Sequence, residues 1–325
     1  MNIINNKRKL LIGILIAIVV VLGTSVLYSY RDYDTKKNSK RISIIVYGSE
    51  PERWENLKKG AVLAGDDFGA EISLLTTSEE DDYEEQISLI EREISNGVDG
   101  IMLAPCDSKK LGEYLDKARI KIPVVLIENT VTSRHKYNCI SIDDYNMGYE
   151  LGNAIISREN PIIKAAVISD STQRDNIVAR EQGVRDVLEP YANQVVTWER
   201  DDYEKQISTK KFLQRKLIGE AVDVIVALDT ETADAIMDAL DNLNMTRKVY
   251  VISTSSQSVY NLDQRNIKVI EYQNEFGIGY VGAYSILDKK TFNKRFNKDV
   301  IESNIVDKEN MYDYDNQKLL FPFVK

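Results

Sequence analysis

The chain has 325 residues, 43% hydrophobic and 29% charged, which excludes a disordered tail, a collagen-like repeat and a small disulfide scaffold. It carries 42 Lys+Arg against 51 Asp+Glu. The first thirty residues hold three of those bases and no acid, so the net of −9 becomes −12 over the remainder. An acidic body excludes nucleic acid as the natural partner, because phosphate neutralisation needs clustered Lys and Arg.

Lys7-Arg8-Lys9 precede an uncharged run, Leu10 to Tyr30, of 21 residues. At ~1.5 Å per residue a helix of that length spans about 31 Å, matching a bilayer core of ~30 Å. The positive flank stays inside, so the bulk of the chain faces outward. The run reads as an uncleaved signal anchor or as a secretory signal cut at Gly23-Thr24-Ser25. Its continuation past that triplet favours the anchor, and the lack of a nearby cysteine excludes a lipid anchor. Residues 31–40 are polar and charged without apolar periodicity and read as a tether.

From Arg41 short apolar runs alternate with helical patterns. Strands are predicted at Ile42–Tyr47, Ile72–Leu75, Gly100–Ala104, Val124–Ile127, Ala165–Ile168, Val195–Val196, Val224–Ala227, Val249–Ile252 and Val269–Ile270, with another beginning at Cys139. Helical stretches fall between them, with apolar faces such as Trp54, Leu57, Ala61 and Ala64, or Ile87, Ile90 and Ile94. This is the pattern of βαβ units and parallel sheets. About ten strands exceed one compact sheet, so two sheets in two lobes are expected. An internal repeat agrees: DDYEEQIS at 81–88 returns as DDYEKQIS at 201–208, and VDGIMLA from Val98 returns as VDVIVAL from Val222. Asp81 and Asp201 are expected to cap the helices that follow, with Glu84 and Glu204 completing capping boxes. Cys106 and Cys139 are expected at opposite edges of a parallel sheet, too far apart for a disulfide, and so free.

Ligands of such sheets bind outside the carboxyl ends of the strands. The candidates are therefore Tyr47 to Trp54, including Glu50 and Arg53, then Pro105-Cys106-Asp107, Glu128-Asn129, Asp143-Asp144, Ser169-Asp170, Asp229-Thr230, Ser253 to Ser256, and Gln273-Asn274. Carboxylates, amides and hydroxyls with one Trp and nearby Arg174 and Arg180 suit a polyhydroxylated ligand. Many strand-end residues of these types also serve simply as turns and caps. No nucleophile elbow, phosphate loop or zinc motif occurs, and the single histidine, His135, sits in a polar loop and cannot build a His-based metal site. Neither a catalytic group nor a metal or cofactor is expected.

ISIIVY with WENLKKGAVLAGDDFGAEISLL, GVDGIMLAPCDSKKL, IPVVLIEN, ISIDDYNMGYELGNAI, AREQGVRDVL, VIVALDTETADAI and IEYQNEFGIGYVGA occur in this order and spacing. Together they make residues 41–293 resemble the type I periplasmic sugar-binding proteins, the ribose-binding-protein family. Its fold is shared by the effector lobes of lactose-repressor-type regulators, but here a membrane segment stands where a DNA-binding headpiece would be. The resemblance implies an α/β, periplasmic binding protein-like I fold after an N-terminal transmembrane helix: two doubly wound parallel-sheet lobes joined by a three-strand hinge. Residues 41–143 with 274–295 would form one lobe and 144–273 with 296–325 the other. It also implies a solute bound in the cleft, and a membrane partner that is either an ABC permease or a sensor histidine kinase. Residue by residue, Trp54 takes the place of a stacking aromatic, Glu128 of a hydroxyl-binding aspartate and Asn129 of the arginine beside it. Asp229 takes the place of an asparagine, Ser255 of an aspartate, and Gln273 matches the hinge glutamine. The family's ligand arginine, five residues before the helix glycine Gly183, is here Val178. Arg180 matches a structural arginine, and Arg174 is the substitute cation. The resemblance thus implies a site that has lost positive charge and kept acids, open to a sugar, an amino sugar, another polyol or a cationic metabolite. Outside the resemblance, a secreted hydrolase and an interaction module with a vestigial cleft are the competing classes.

Overall fold

The computed structural model describes Thr24 and residues 39–169, 173–200, 204–289 and 301–321. The Leu10–Tyr30 run, nearly all of the tether, Asp170 and Asp201 lie outside the described residues.

Two open sheets form the body. The first contains β1 (Arg41–Val46), β2 (Glu71–Thr76), β3 (Gly100–Leu103), β4 (Val124–Ile127) and β5 (Asn138–Ile140), in the order β2-β1-β3-β4-β5. All of its pairings are parallel. The second contains β6 (Lys164–Ile168), β7 (Gln194–Trp198), β8 (Val224–Ala227), β9 (Lys248–Ile252), β10 (Ile267–Gln273) and β11 (Ser303–Val306), in the order β11-β10-β9-β8-β6-β7. Read from β6, the second sheet repeats the order of the first, 2-1-3-4-5. The addition is β11, which runs antiparallel to β10. The central strands read as unbroken apolar runs because helices cover both sheet faces. Ile44, Ile45, Ile101, Met102, Val224 and Ile225 are fully covered. Each such side chain contributes about 1.5–3 kcal/mol relative to an exposed one.

The chain crosses between sheets after β5 and again after β10. Helix α4 (Asp144–Ile156) follows β5 but packs on the second sheet, against α5 (Asp175–Leu188). Helix α9 (Glu275–Leu287) follows β10 but packs on the first sheet, against α1 (Glu55–Phe68). Both helix pairs meet backbone to backbone. A Cβ on Gly279 would lie 1.8 Å from the Leu57 carbonyl oxygen, and one on Gly148 would lie 2.0 Å from that of Arg180. Between residues 289 and 301 the connection falls outside the described residues.

The repeated octapeptide folds differently in its two copies. In the first, Asp82 rather than Asp81 caps α2 (Tyr83–Ser95), accepting from the Glu85 N–H. Glu85 turns instead to the N–H and hydroxyl of Ser78, so no reciprocal box closes. Gln86 ties this helix to the first sheet through the Ala104 carbonyl and the Cys106 N–H. In the second copy Gln206 is exposed and 204–206 form only a 3₁₀ turn. Ser208 then caps α6 (Thr209–Gly219). Without the glutamine anchor, the helix starts after the repeat rather than inside it.

Both cysteines are free. Cys139 nevertheless lies nearer the carboxyl edge than the strand pattern implies. β5 is only three residues long, and the Cys139 thiol reaches the Asn129 carbonyl, 3.5 Å away, just past β4.

Candidate functional site

In a 2-1-3-4-5 sheet the crevice lies at the carboxyl end, between the first and third strands. The two crevices face each other here, and the residues that close β1, β4, β8, β9 and β10 converge between the sheets. Tyr47 follows β1. Its carbonyl accepts the Trp54 indole N–H at 3.0 Å, and the two rings meet edge to face with centroids 5.1 Å apart. A 3₁₀ turn, Pro51–Trp54, then brings Arg53 back, its guanidinium 5.1 Å from the Tyr47 ring centroid. Arg174, which immediately precedes α5, places a second guanidinium 4.5 Å from the same centroid. Burial pushes the Tyr47 hydroxyl up to about 12, so it stays a proton donor. It donates to Glu128 Oε2 at 3.3 Å.

Glu128 has φ +60°, in the left-handed region that costs a non-glycine residue about 1 kcal/mol or more. Its Oε1 accepts from Gln273 Nε2 at 2.9 Å, and Gln273 Oε1 accepts from Arg180 Nη2 at 3.2 Å. Arg180 also holds Asp144 at 2.8 Å and the Leu228 carbonyl at 3.0 Å. A hydrogen-bond chain thus runs Tyr47–Glu128–Gln273–Arg180–Asp144, from the first sheet to the second. Asp229 caps helix α7 (Thr230–Asn242), accepting from the Thr232 N–H and hydroxyl through Oδ1. Its Oδ2 pairs with Arg174 at 2.7 Å, and both side chains are almost wholly covered. Burial alone would raise the Asp229 carboxyl; Arg174 and Thr232 reverse this and hold it below the usual range.

These groups enclose a void of about 10 Å³, roughly one water-sized sphere, also lined by Asn176, Ile177, Thr230, Ile252, Ser253 and Thr254. Of the residues named from sequence, Tyr47, Arg53, Glu128, Arg174, Arg180, Asp229, Thr230, Ser253, Thr254 and Gln273 line it. The others lie elsewhere. Trp54 is fully covered beneath Tyr47 and Arg53, so its place is in the core and it presents no stacking face. Asp144 stands behind Arg180. Asn129 bridges the sheets: its Nδ2 donates to the Pro105 carbonyl at 2.9 Å and its Oδ1 accepts the Asn176 N–H at 3.1 Å. Ser255 caps helix α8 (Ser256–Asp263) and donates to Asp234. With exposed Glu50 it lines a separate outer cavity of about 870 Å³. Val178 is half-exposed, away from the void.

The structure adds Asn176, on α5, and places Arg180, read from sequence as a structural arginine, on the wall of the void as well. Polarity on a helix face gives no sign of whether that face looks into a cleft; only the nearby Arg174 and Arg180 marked the region. The expected loss of positive charge is corrected. Three guanidiniums, Arg53, Arg174 and Arg180, line the void with two carboxylates, Glu128 and Asp229.

Residues 42–294 match the family model of the periplasmic binding protein domain. The chain belongs to that family. This binding protein is therefore not an enzyme, and its family is one that works outside the cytoplasm. Its fold is similar to that of a carbohydrate-transporter solute-binding protein from Agrobacterium radiobacter in complex with D-arabinose, at 20% identity and TM-score 0.77, over 87% of this chain and 99% of the other. An ABC-transporter solute-binding protein from Agrobacterium vitis with bound D-fucose gives 20% identity and TM-score 0.76, over 86% and 100%. The XylFII–LytSN complex gives 18% and 0.69, over 83% and 98%. No curated protein matches this binding protein in sequence.

Beside the site, Glu275 begins α9 and is 4% exposed, with one carboxylate oxygen on the Thr254 hydroxyl and the other without a hydrogen-bond partner. Burial, reinforced by the charge of Glu128, pushes its carboxyl up to about 8. The folded chain then keeps a proton that the unfolded chain releases near pH ~4.3. Stability is expected to fall as pH rises from ~4.3 to about 8, and then to level off. Glu275→Gln should flatten part of this slope, Glu271 and Glu231, each raised to about 7 chiefly by burial, keeping much of the rest. Urea midpoints at pH 5, 7 and 9 check it; equal slopes in both proteins would refute the assignment.

Proposed function

We propose that this protein binds a small polar solute, a sugar or sugar derivative, in the cleft between two lobes on the outer side of the cell membrane, held there by the Leu10–Tyr30 helix. The buried hydrogen-bonded cluster between the sheet edges carries the reading. Polar groups this dense are costly to dehydrate and serve to recognise another polar molecule. The void is much smaller than a typical ligand cleft of about 300–1,000 Å³, so the lobes must part to admit a sugar and close on it. The crossings after β5 and β10, with the one between residues 289 and 301, would be the hinge, and the lobes would divide at residues 143, 273 and 295. The bound sugars of the two Agrobacterium neighbours support the ligand class, and their transporter names support delivery to an ABC importer. A second reading, a receptor subunit for a membrane sensor kinase, is favoured by a neighbour held in a complex, XylFII–LytSN, and would suit an anchor that carries no lipid.

Calorimetric titration with pentoses, hexoses, their acids, amino sugars and polyols tests the reading. One of them should bind with micromolar or tighter affinity, and Gln273→Ala should weaken it at least tenfold by leaving Glu128 and Arg180 short of a partner. An alanine variant that binds as tightly as the parent would remove Gln273 from the site.

A further inference from the structure

The donors and acceptors that face the void are unequally engaged. Glu128 accepts from Gln273 and Tyr47 on its two oxygens, and Asp229 accepts from Thr232 and Arg174 on its two. Gln273 Oε1 accepts from Arg180. Every carboxylate oxygen on the wall thus already has a protein donor. Arg174 is 3% exposed, yet among the described residues its Nη1 has no hydrogen-bond partner, and neither do Nε and Nη1 of Arg53. Arg53 Nη1 has only a 3.5 Å ion pair to Glu80 at the rim. The unused capacity is therefore cationic N–H, on two guanidiniums that both lie against the Tyr47 ring.

Each of these wall acceptors already has a protein donor and keeps at most one further lone pair for a ligand hydroxyl, whereas an anionic oxygen finds two vacant charged donors. Charge-assisted bonds from a guanidinium are about twice as strong as neutral ones, and a buried guanidinium N–H left without an acceptor costs about 1–3 kcal/mol. The rim outside is acidic through Glu50, Glu52, Glu55 and Glu79, so an anion is selected by contact at the floor and not by attraction at the mouth.

We propose that the ligand is an acidic sugar, a uronic or aldonic acid, whose carboxylate sits between Arg174 and Arg53. This rests on the solute-binding reading above. The test titrates the purified full chain with matched pairs: galacturonate and galactose, glucuronate and glucose, arabinonate and arabinose, with the corresponding sugar phosphates as a separate arm. The acid of at least one pair should bind tenfold or more tighter than its neutral parent. Arg174→Lys keeps a cation for Asp229 but removes the unpartnered nitrogen, and should cut that preference to threefold or less while its melting temperature stays close to the parent's. A neutral sugar that binds as well as its acid overturns the carboxylate assignment and leaves sugar binding standing. A sugar phosphate that binds where the carboxylates do not overturns it as well. No binding by any member of the three arms removes both the assignment and the sugar reading.

Discussion

Replacing Asp229 by alanine is expected to lower the unfolding free energy by about 3–5 kcal/mol and to weaken ligand binding at least tenfold. The loss has two sources. Asp229 is the sole hydrogen-bonded counter-ion of Arg174, and both side chains are nearly inaccessible to water, so truncation strands a buried cation. Asp229 also caps α7, a contribution of about 1 kcal/mol. A double variant, Asp229→Ala with Arg174→Met, removes both charges and should recover at least half of the lost stability, because an apolar pair of similar volume carries no stranded charge. The parent should begin to lose part of this contribution as pH falls below about 4. A carboxyl held below its usual range stabilises the fold above the unfolded value and stops doing so as pH falls through the folded one. Denaturation of the three proteins at pH 7 and pH 3 decides it. A single variant less than 1 kcal/mol weaker than the parent, or a double variant no better than the single, would show that the pair is not isolated from water.

The second large effect lies away from the charges. Gly279→Ala should destabilise the protein by about 3 kcal/mol, at the upper end for overpacking. The added methyl would meet the carbonyl oxygen of Leu57 at 1.8 Å, its carbon at 2.7 Å and the Ala61 nitrogen at 3.1 Å. All three are backbone atoms, so no side chain can turn away and α1 and α9 must separate. For a chain of this size that is a drop of roughly 6–12 °C in melting temperature. Binding should weaken too, because Arg53 lies two residues before α1, in the turn that leads into it, and Gln273 lies two residues before α9. Melting and titration of one sample measure both. A melting temperature within 1 °C of the parent would mean that the helices do not meet as described.

Much of the fold is legible because a strand covered on both faces has to be apolar throughout. Ile42–Tyr47 and Val224–Ala227 can hardly be anything else once helices flank them. The two strands that escape a full reading are edge strands with polar residues: β5, only Asn138-Cys139-Ile140, and β11, Ser303-Asn304-Ile305-Val306, whose antiparallel pairing no local pattern announces. At the site, strand ends point to the right edges, and Glu128, Asp229 and Gln273 follow from that rule. What the rule omits is side-chain direction. Ser255 is spent on its helix cap and Asp234, and Trp54 turns inward because its indole N–H finds the Tyr47 carbonyl. Tyr47, one residue past its strand, takes the place that Trp54 would hold. Arg180 is named from sequence, but its place on the wall is not: a charged residue among Ile177 and Val184 looks like a solvated face until the opposite sheet is brought over it.

The bridge made by Asn129 has neighbours. The Ser108 N–H donates to the Gln173 carbonyl at 2.9 Å, the Asp175 N–H to the Ser108 hydroxyl at 3.1 Å, and the Thr130 hydroxyl to Asp175 at 3.1 Å. With the Asn176 bond, four contacts join the edges of the two sheets without any need for cargo. Each contributes about 0.5–1.5 kcal/mol net, enough together to keep a share of empty molecules shut. A membrane partner that recognises the shut form would then register a background even when no sugar is present. In the proposed solute-binding role the size of that background would be set by Ser108, Asn129 and Thr130 and not by the charged residues that line the void, so sensitivity and selectivity would be adjusted at separate places in the chain.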